Sequence, residues 1–258
     1  MNCPLLYRFR TIDRLPEPPD PNMVRGTGVH LVLEKLFDRP APERTYENAI
    51  AMIPDVWEEL QQNRKEAREL FGPGDETAIA EWLKTYEPLL EGYFAVEDPT
   101  NLIGETRREL EVTHVLDGDI PLRGFVDRID IAPTGEVRIV DYKTGKSPNP
   151  RFEAKALFQM KFYALVIWRS TGDMPRMLQL LYLKDRNALR YTPTEPDLLA
   201  TENKIRAIWG AIEQARETGE WKPNKSALCG WCAHKALCPA WGGTPPPLPA
   251  TASLRATA

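Results

Sequence analysis

Near Glu105 the chain changes its period, and that change limits the folds open to it. Upstream, apolar residues recur at helical spacing: Val29, Val32, Leu33, Leu36 and Phe37 form one stripe, the i, i+3, i+4, i+7, i+8 pattern of a buried helix face. Downstream, Thr106–Leu116, Leu122–Ala132 and Glu136–Lys143 have the composition and length of strands. They are separated by the turn sequences Asp117-Gly118-Asp119 and Pro133-Thr134-Gly135. A helix over Phe152–Arg169, a leucine-rich strand over Arg176–Lys184 and a helix over Asp197–Thr218 follow. Strands alternating with helices behind a helical block predict an α/β fold with a mixed sheet.

The N-terminal helix is expected over Thr27–Phe37, after a proline-rich connector from Pro16 to Pro21. Two more helices, Tyr46–Leu70 and Glu76–Val96, are split by Gly72-Pro73-Gly74 and form a helical insertion at about residues 40–98. One domain over residues 1–243 is expected, with a disordered proline- and alanine-rich tail over 244–258. No apolar run approaches the ~18 residues of a membrane span, and no basic-then-apolar leader opens the chain. A cytoplasmic protein without membrane contact is therefore expected.

Net charge is −4 over 258 residues, which by itself argues against a polyanionic partner. The sum hides an asymmetry. Pro40–Leu122 holds 19 acidic residues against 7 basic, whereas Arg138–Arg190 holds 11 basic against 4 acidic. A local positive field can hold a polyanion whatever the total.

Within and beside the basic segment stand Gly124-Phe-Val-Asp127 and Asp141-Tyr-Lys143-Thr-Gly145. Alternation along a strand puts Asp141 and Lys143 on one face. An Asp-x-Lys pair alone is most often a surface ion pair. With Asp127 one strand earlier, it becomes a candidate hydrolytic site. Paired carboxylates hold Mg²⁺ or Mn²⁺, and an adjacent lysine steadies charge on a phosphate in transfer. His30, at the edge of the first helix's stripe, is a further candidate ligand. Gln159 and Tyr163, one helical turn apart, are placed to hydrogen-bond a phosphate or to orient the lysine.

The ordered set Gly26-Thr-x-x-His30, Gly-Phe-Val-Asp127, Asp141-Tyr-Lys143-Thr-Gly and Gln159-x-x-x-Tyr163 resembles the RecB-type branch of the PD-(D/E)xK nucleases. The resemblance implies a restriction-endonuclease-like core, a central mixed sheet flanked by helices. It also implies metal-dependent hydrolysis of DNA, as an exonuclease acting on ends or single strands in repair or recombination. By the same resemblance His30, Asp127, Asp141 and the backbone carbonyl of Tyr142 bind Mg²⁺ or Mn²⁺, with Glu109, or else Glu105, completing the set. Asp127, Asp141 and Lys143 are then catalytic. Gln159, Tyr163, Lys146 and Arg151 meet the DNA. A CRISPR-adaptation nuclease, or a DNA-binding module that does not cleave, would carry the same fold. No phosphate-binding loop of a helicase is present, so unwinding would come from a helicase or repair partner.

Cys229-x-x-Cys232-x₅-Cys238 forms a cluster far in sequence from Cys3. Such spacing suits metal binding better than a disulfide framework. Zinc would take three cysteines with His234 or Cys3, whereas a [4Fe–4S] cluster would take all four thiolates. The arrangement resembles the iron–sulfur staple of AddB-type nucleases, which implies that Cys3, Cys229, Cys232 and Cys238 hold such a cluster.

Overall fold

The computed structural model describes residues 3–102, 104–149 and 153–249. The chain divides into two compact units, one formed by residues 19–202 and the other by residues 1–18 together with 203–258. It opens with a short helix, α1 (Pro4–Tyr7), that runs on as a π-helical turn, Arg8–Ile12.

The larger unit begins with α2 (Pro21–Leu36). This helix starts six residues before the expected Thr27. Asp20 accepts the Asn22 N–H at 2.8 Å, and Pro21 occupies the first turn. A capping carboxylate followed by proline is a strong helix start, so Pro21 ends the connector by opening the helix. The helical block follows as α3 (Tyr46–Ala51), α4 (Ile53–Asn63), α5 (Lys65–Arg68), α6 (Glu76–Leu83) and α7 (Glu87–Val96). The two long helices expected here are broken into shorter ones. Pro54 and Pro88 each lack an N–H to donate to a preceding turn, so each lies in the first turn of a new helix.

The sheet is five-stranded in the order β1-β2-β3-β4-β5: β1 (Glu105–Leu116), β2 (Ile120–Ile131), β3 (Val137–Lys143), β4 (Met177–Tyr182) and β5 (Asn187–Tyr191). β1–β2, β2–β3 and β4–β5 are antiparallel, and β3–β4 is parallel. The parallel pair needs a crossover, supplied by α8 (Glu153–Thr171). Both expected turns form, with Gly118 at φ +86°, Asp119 at +55° and Gly135 at +90°. β5 was not expected from its sequence, because five residues with no β-branched member give little strand signal. It pairs along the edge of β4.

One face of β3 and β4, through Val140, Tyr142, Leu181 and Leu183, shares a core with α2, α3, α4 and α7. The helical block is therefore part of the main core. At Gly92 of α7 an added Cβ would lie 1.8 Å from the Leu183 carbonyl oxygen, so only glycine allows this helix to lie so close to the sheet.

The last helix, α9 (Glu195–Thr218), carries the division between the units. In the smaller unit, Leu5, Phe9, Ile212 and Trp221 form the core. Short 3₁₀ turns follow, Ala227–Trp231, Lys235–Leu237 and Pro239–Trp241; Cys229 lies in the first, and Cys232 and Cys238 directly follow the first and second. Residues 244–249 have no regular secondary structure, and the Pro246 carbonyl accepts a hydrogen bond from Arg8. The rest of the expected tail, 250–258, lies outside the described residues. Among the described residues no helix is long and apolar enough to cross a membrane.

Thr194-Glu-Pro-Asp197 starts α9 with a reciprocal cap. Asp197 accepts the Thr194 N–H at 3.1 Å, the Thr194 hydroxyl at 2.7 Å, the Tyr191 hydroxyl at 2.7 Å and the Lys161 ammonium at 3.0 Å. The Thr194 hydrogen bonds first, then those of Tyr191 and Lys161, outweigh burial and hold its pKa well below the usual carboxylate range. A depressed carboxylate contributes stability above its unfolded pKa and loses it as pH falls. Asp197→Asn should destabilise the protein by about 1–2 kcal/mol at neutral pH. The difference from wild type should shrink as pH falls below about 4, as read by urea denaturation across pH.

Candidate active site

The paired register of β2 and β3 ends at Arg128–Val140. One step further, the Tyr142 N–H is donated to Asp127 Oδ2 at 2.7 Å. A parting strand pair leaves backbone groups that need partners. Here a carboxylate supplies one, and Asp127 is fixed at the mouth of the gap.

Glu109 stands opposite Asp127 on the neighbouring strand, between the pairs Arg108–Arg128 and Leu110–Val126. Its φ is +43°. A left-handed backbone at a side-chain-bearing residue costs about 1–2 kcal/mol, and strain of this kind gathers at functional sites. His30 reaches the same place from α2. Its Nδ1 lies 3.4 Å from Asp127 Oδ2, and its ring packs edge-on against Tyr142. On the same helix Gly28 leaves room for Tyr86, whose hydroxyl oxygen an added Cβ would meet at 2.2 Å. Ligand atoms of His30, Glu109 and Asp127 all lie within 4.8 Å of one another. Among the described residues no other group of three or more His, Cys, Asp or Glu ligands is that close.

Asp141 lies behind this set, 2 % exposed. Its Oδ2 is 2.6 Å from Lys143 Nζ but has no hydrogen-bond partner in good geometry. Lys143 donates to Gln159 Oε1 at 2.9 Å, and Gln159 Nε2 donates to the Tyr163 hydroxyl at 2.8 Å. Gln159 and Tyr163 thus form a chain from α8 that holds the lysine beside Asp141.

The electrostatics are those of crowded carboxylates. Burial, then the charge of Asp127, raises Glu109 to about 7. The same two causes, partly offset by Lys143, raise Asp141 to about 6. At His30 burial opposes the charged form, but the hydrogen bond and charge of Asp127 prevail and the pKa rises. Three carboxylates and an imidazole converge with the Lys143 ammonium, paired to Asp141 Oδ2, as their nearest cation. Oxygen-rich donors with one nitrogen fit a hard divalent cation.

A cavity of about 1210 Å³ opens over these groups, lined by His30, Glu109, Asp127 and Lys143. Among the lining residues to which the sequence reading gave no role are Glu34, Arg64 and Phe125. Glu34 was legible, since it stands one helical turn after His30. Arg64 and Phe125 carried no such signal. Of the other expected residues, Lys146 is exposed beyond β3, Glu105 is exposed and paired with Arg107, and Arg151 lies outside the described residues. The four cysteines are free thiols lining one cavity of the smaller unit, about 290 Å³. The Asn224 N–H points at Cys3 Sγ and the Ser226 N–H at Cys229 Sγ, each at 3.4 Å. His234 Nε2 lies 2.9 Å from Glu17 Oε1.

A profile of the PD-(D/E)XK nuclease superfamily matches residues 1–239. The chain belongs to that superfamily. Its mixed sheet flanked by helices is the restriction-endonuclease-like fold, and PD-(D/E)XK nucleases use divalent metals. Two curated relatives are Gene 69 proteins of mycobacteriophages. The protein of phage L5 is 30% identical over 141 residues, 51% of this chain and 43% of its own length. That of phage D29 is 24% identical over 273 residues, 92% of each chain. The chain thus matches less than half the length of the L5 relative. A solved structure from Eubacterium rectale, named "Putative exonuclease", is similar in fold, with a TM-score of 0.52 over 91% of this chain and 81% of that one. At 12% identity the likeness is one of fold alone.

If the carboxylate set holds a cation, removing one charge should weaken it. Affinity at oxygen-ligand sites follows ligand charge. Asp127→Asn should lower Mn²⁺ affinity by roughly tenfold or more, measured by calorimetric titration. An unchanged affinity would place the cation elsewhere.

Proposed function

We propose that this PD-(D/E)XK nuclease is a Mg²⁺- or Mn²⁺-dependent DNA exonuclease that hydrolyses phosphodiester bonds at ends or in single strands, in repair or recombination. The observation that carries the reading is the convergence of His30, Glu109 and Asp127 beside the pair of buried Asp141 and half-buried Lys143, under one open cavity. Asp141 and the Tyr142 carbonyl complete the ligand set. The bound ion supplies Lewis acidity and positive charge to the scissile phosphate.

The chain's own residues do the rest. Lys143 holds its ammonium at a fixed point, braced by Asp141 and Gln159, where it stabilises charge that develops on the phosphate oxygens. Tyr163 holds Gln159, so the pair acts on DNA through the lysine. Asp127, tied to the Tyr142 N–H, keeps its carboxylate oriented.

Phosphate contacts along the strand are narrower than the charge count suggests. Of the eleven basic residues in Arg138–Arg190, Arg138, Lys143, Lys161, Arg169 and Arg186 are in ion pairs. Of the other six, Arg151 lies outside the described residues, and Lys146, Lys155, Arg176, Lys184 and Arg190 are exposed; Lys146 and Lys184, on the loops after β3 and β4, are the ones that hold the backbone, in a salt-sensitive and largely sequence-independent way. A helicase or repair partner supplies any unwinding.

We further propose that Cys3, Cys229, Cys232 and Cys238 hold a [4Fe–4S] cluster. The shared cavity and the two N–H groups aimed at sulfur support this. A cluster spreads its thiolates wider than a single zinc ion does, and His234 faces Glu17. Protein purified without oxygen should be brown and contain iron. A colourless zinc protein would sink the assignment.

Lys143→Ala should lower the rate of DNA cleavage by about 10²–10³-fold with little change in melting temperature. End-labelled single-stranded and duplex DNA with Mg²⁺ or Mn²⁺ provides the assay. A wild type that binds DNA and cuts none of it under either metal would instead be a binding module.

A further inference from the structure

Phe125 is 48 % exposed and lines the cavity that Asp127, His30 and Lys143 line. Its neighbour fixes which way it points. At Gly124 an added Cβ would lie 2.7 Å from the Tyr163 ring and 3.2 Å from the Phe162 ring, so β2 is pressed against α8 there. Successive strand residues face opposite sides, and Phe125 is turned away from α8 into the open cavity. A large aromatic ring left half exposed in that position carries a hydrophobic cost that its cation–π contact with Arg123 offsets only in part.

The ring's surroundings indicate what it meets. The Arg123 guanidinium lies 5.3 Å from the ring centroid and is itself paired with Glu111. Arg64 lines the same cavity from the end of α4, exposed, with no hydrogen bond or ion pair through its guanidinium among the described residues. Met23, 69 % exposed, lines the cavity from α2. An exposed aromatic flanked by guanidinium groups beside a phosphate-cleaving site is the arrangement that binds unpaired nucleotides. The ring stacks on a base, and Arg64 is the cation placed to meet the backbone, since Arg123 is paired with Glu111.

We propose that Phe125 is a base-stacking platform for the nucleotide next to the scissile phosphate, with Arg64 holding an adjacent phosphate. This site therefore takes single-stranded or frayed DNA ends. Bases inside a duplex already stack on one another and offer no free face. The inference rests on the nuclease reading and deepens it.

The test compares wild type, Phe125→Ala and Phe125→Trp on oligothymidylate with Mn²⁺. A second set of oligonucleotides carries one tetrahydrofuran abasic residue, moved stepwise along the strand. Stacking predicts that Phe125→Ala lowers kcat/KM on the intact strand by roughly tenfold and that Phe125→Trp keeps most of it. One abasic position should cost wild type a similar factor while costing Phe125→Ala nothing further. The proposal is overturned if Phe125→Ala cuts the intact strand as wild type does. It is equally overturned if no abasic position slows wild type, or if the abasic residue and the substitution act additively. Phe125 is half exposed, so Phe125→Ala should melt as wild type does. If it does not, the wild-type and Phe125→Trp arms decide the matter through the abasic series. A wild type that cuts neither single-stranded nor duplex DNA overturns the nuclease reading itself. A wild type that cuts with no stacking signature overturns this inference alone.

Discussion

Arg128 carries its charge with 0 % of its surface exposed, directly after Asp127. A buried guanidinium is tolerated only when its donors are met and its charge is balanced. Here they are. Arg128 donates to the Tyr142 hydroxyl at 2.8 Å and to Glu97 Oε2 at 2.8 Å, and Asp130 lies 3.1 Å from its Nε. The Phe37 ring lies beneath the guanidinium. Those partners come from β3, the end of α7, β2 and the end of α2. One side chain thus joins the helical block to the strand pair whose parting makes the site. Tyr142 is the link outward, since its ring supports His30 and its N–H fixes Asp127. Removing one partner from such a network costs about 3–5 kcal/mol, and the first geometry disturbed would be that of the ligands.

Most of the sheet was legible because its signals are local. The Asp-Gly-Asp and Pro-Thr-Gly turns, and the alternation between them, depend on neighbours a few residues away. Asp141 and Lys143 were legible for the same reason. The helix breaks at Pro54 and Pro88 were present in the sequence, but a long amphipathic pattern hid them. Phe125 and Arg64 were not legible. Their significance depends on which residues lie across a cavity, and no spacing within one element encodes that. Glu109 was chosen by resemblance. Its left-handed backbone opposite Asp127 is a property of the paired strands.

The charge asymmetry kept only part of its first meaning. Arg138 is bound to Asp130 and Glu97, Lys161 to Asp197 and Arg169 to Glu202. These are internal braces, and local charge counts cannot separate them from cations free to meet a polyanion. The acidic block is equally divided. Glu97 balances Arg128, while Glu59 and Glu109 line the cavity.

The kink at Glu109 also bears on self-association. β1 is an edge of the sheet and is twelve residues long, and a long open edge is a template on which another chain's strand can add. An incoming strand needs an unbroken run of backbone donors and acceptors. Glu109, at φ +43°, turns its peptide out of that run near the middle of the strand. Glu105, Arg107 and Glu111 place further charges along the edge. The distortion that brings a carboxylate to the site therefore also shortens the stretch of edge on which aggregates could grow.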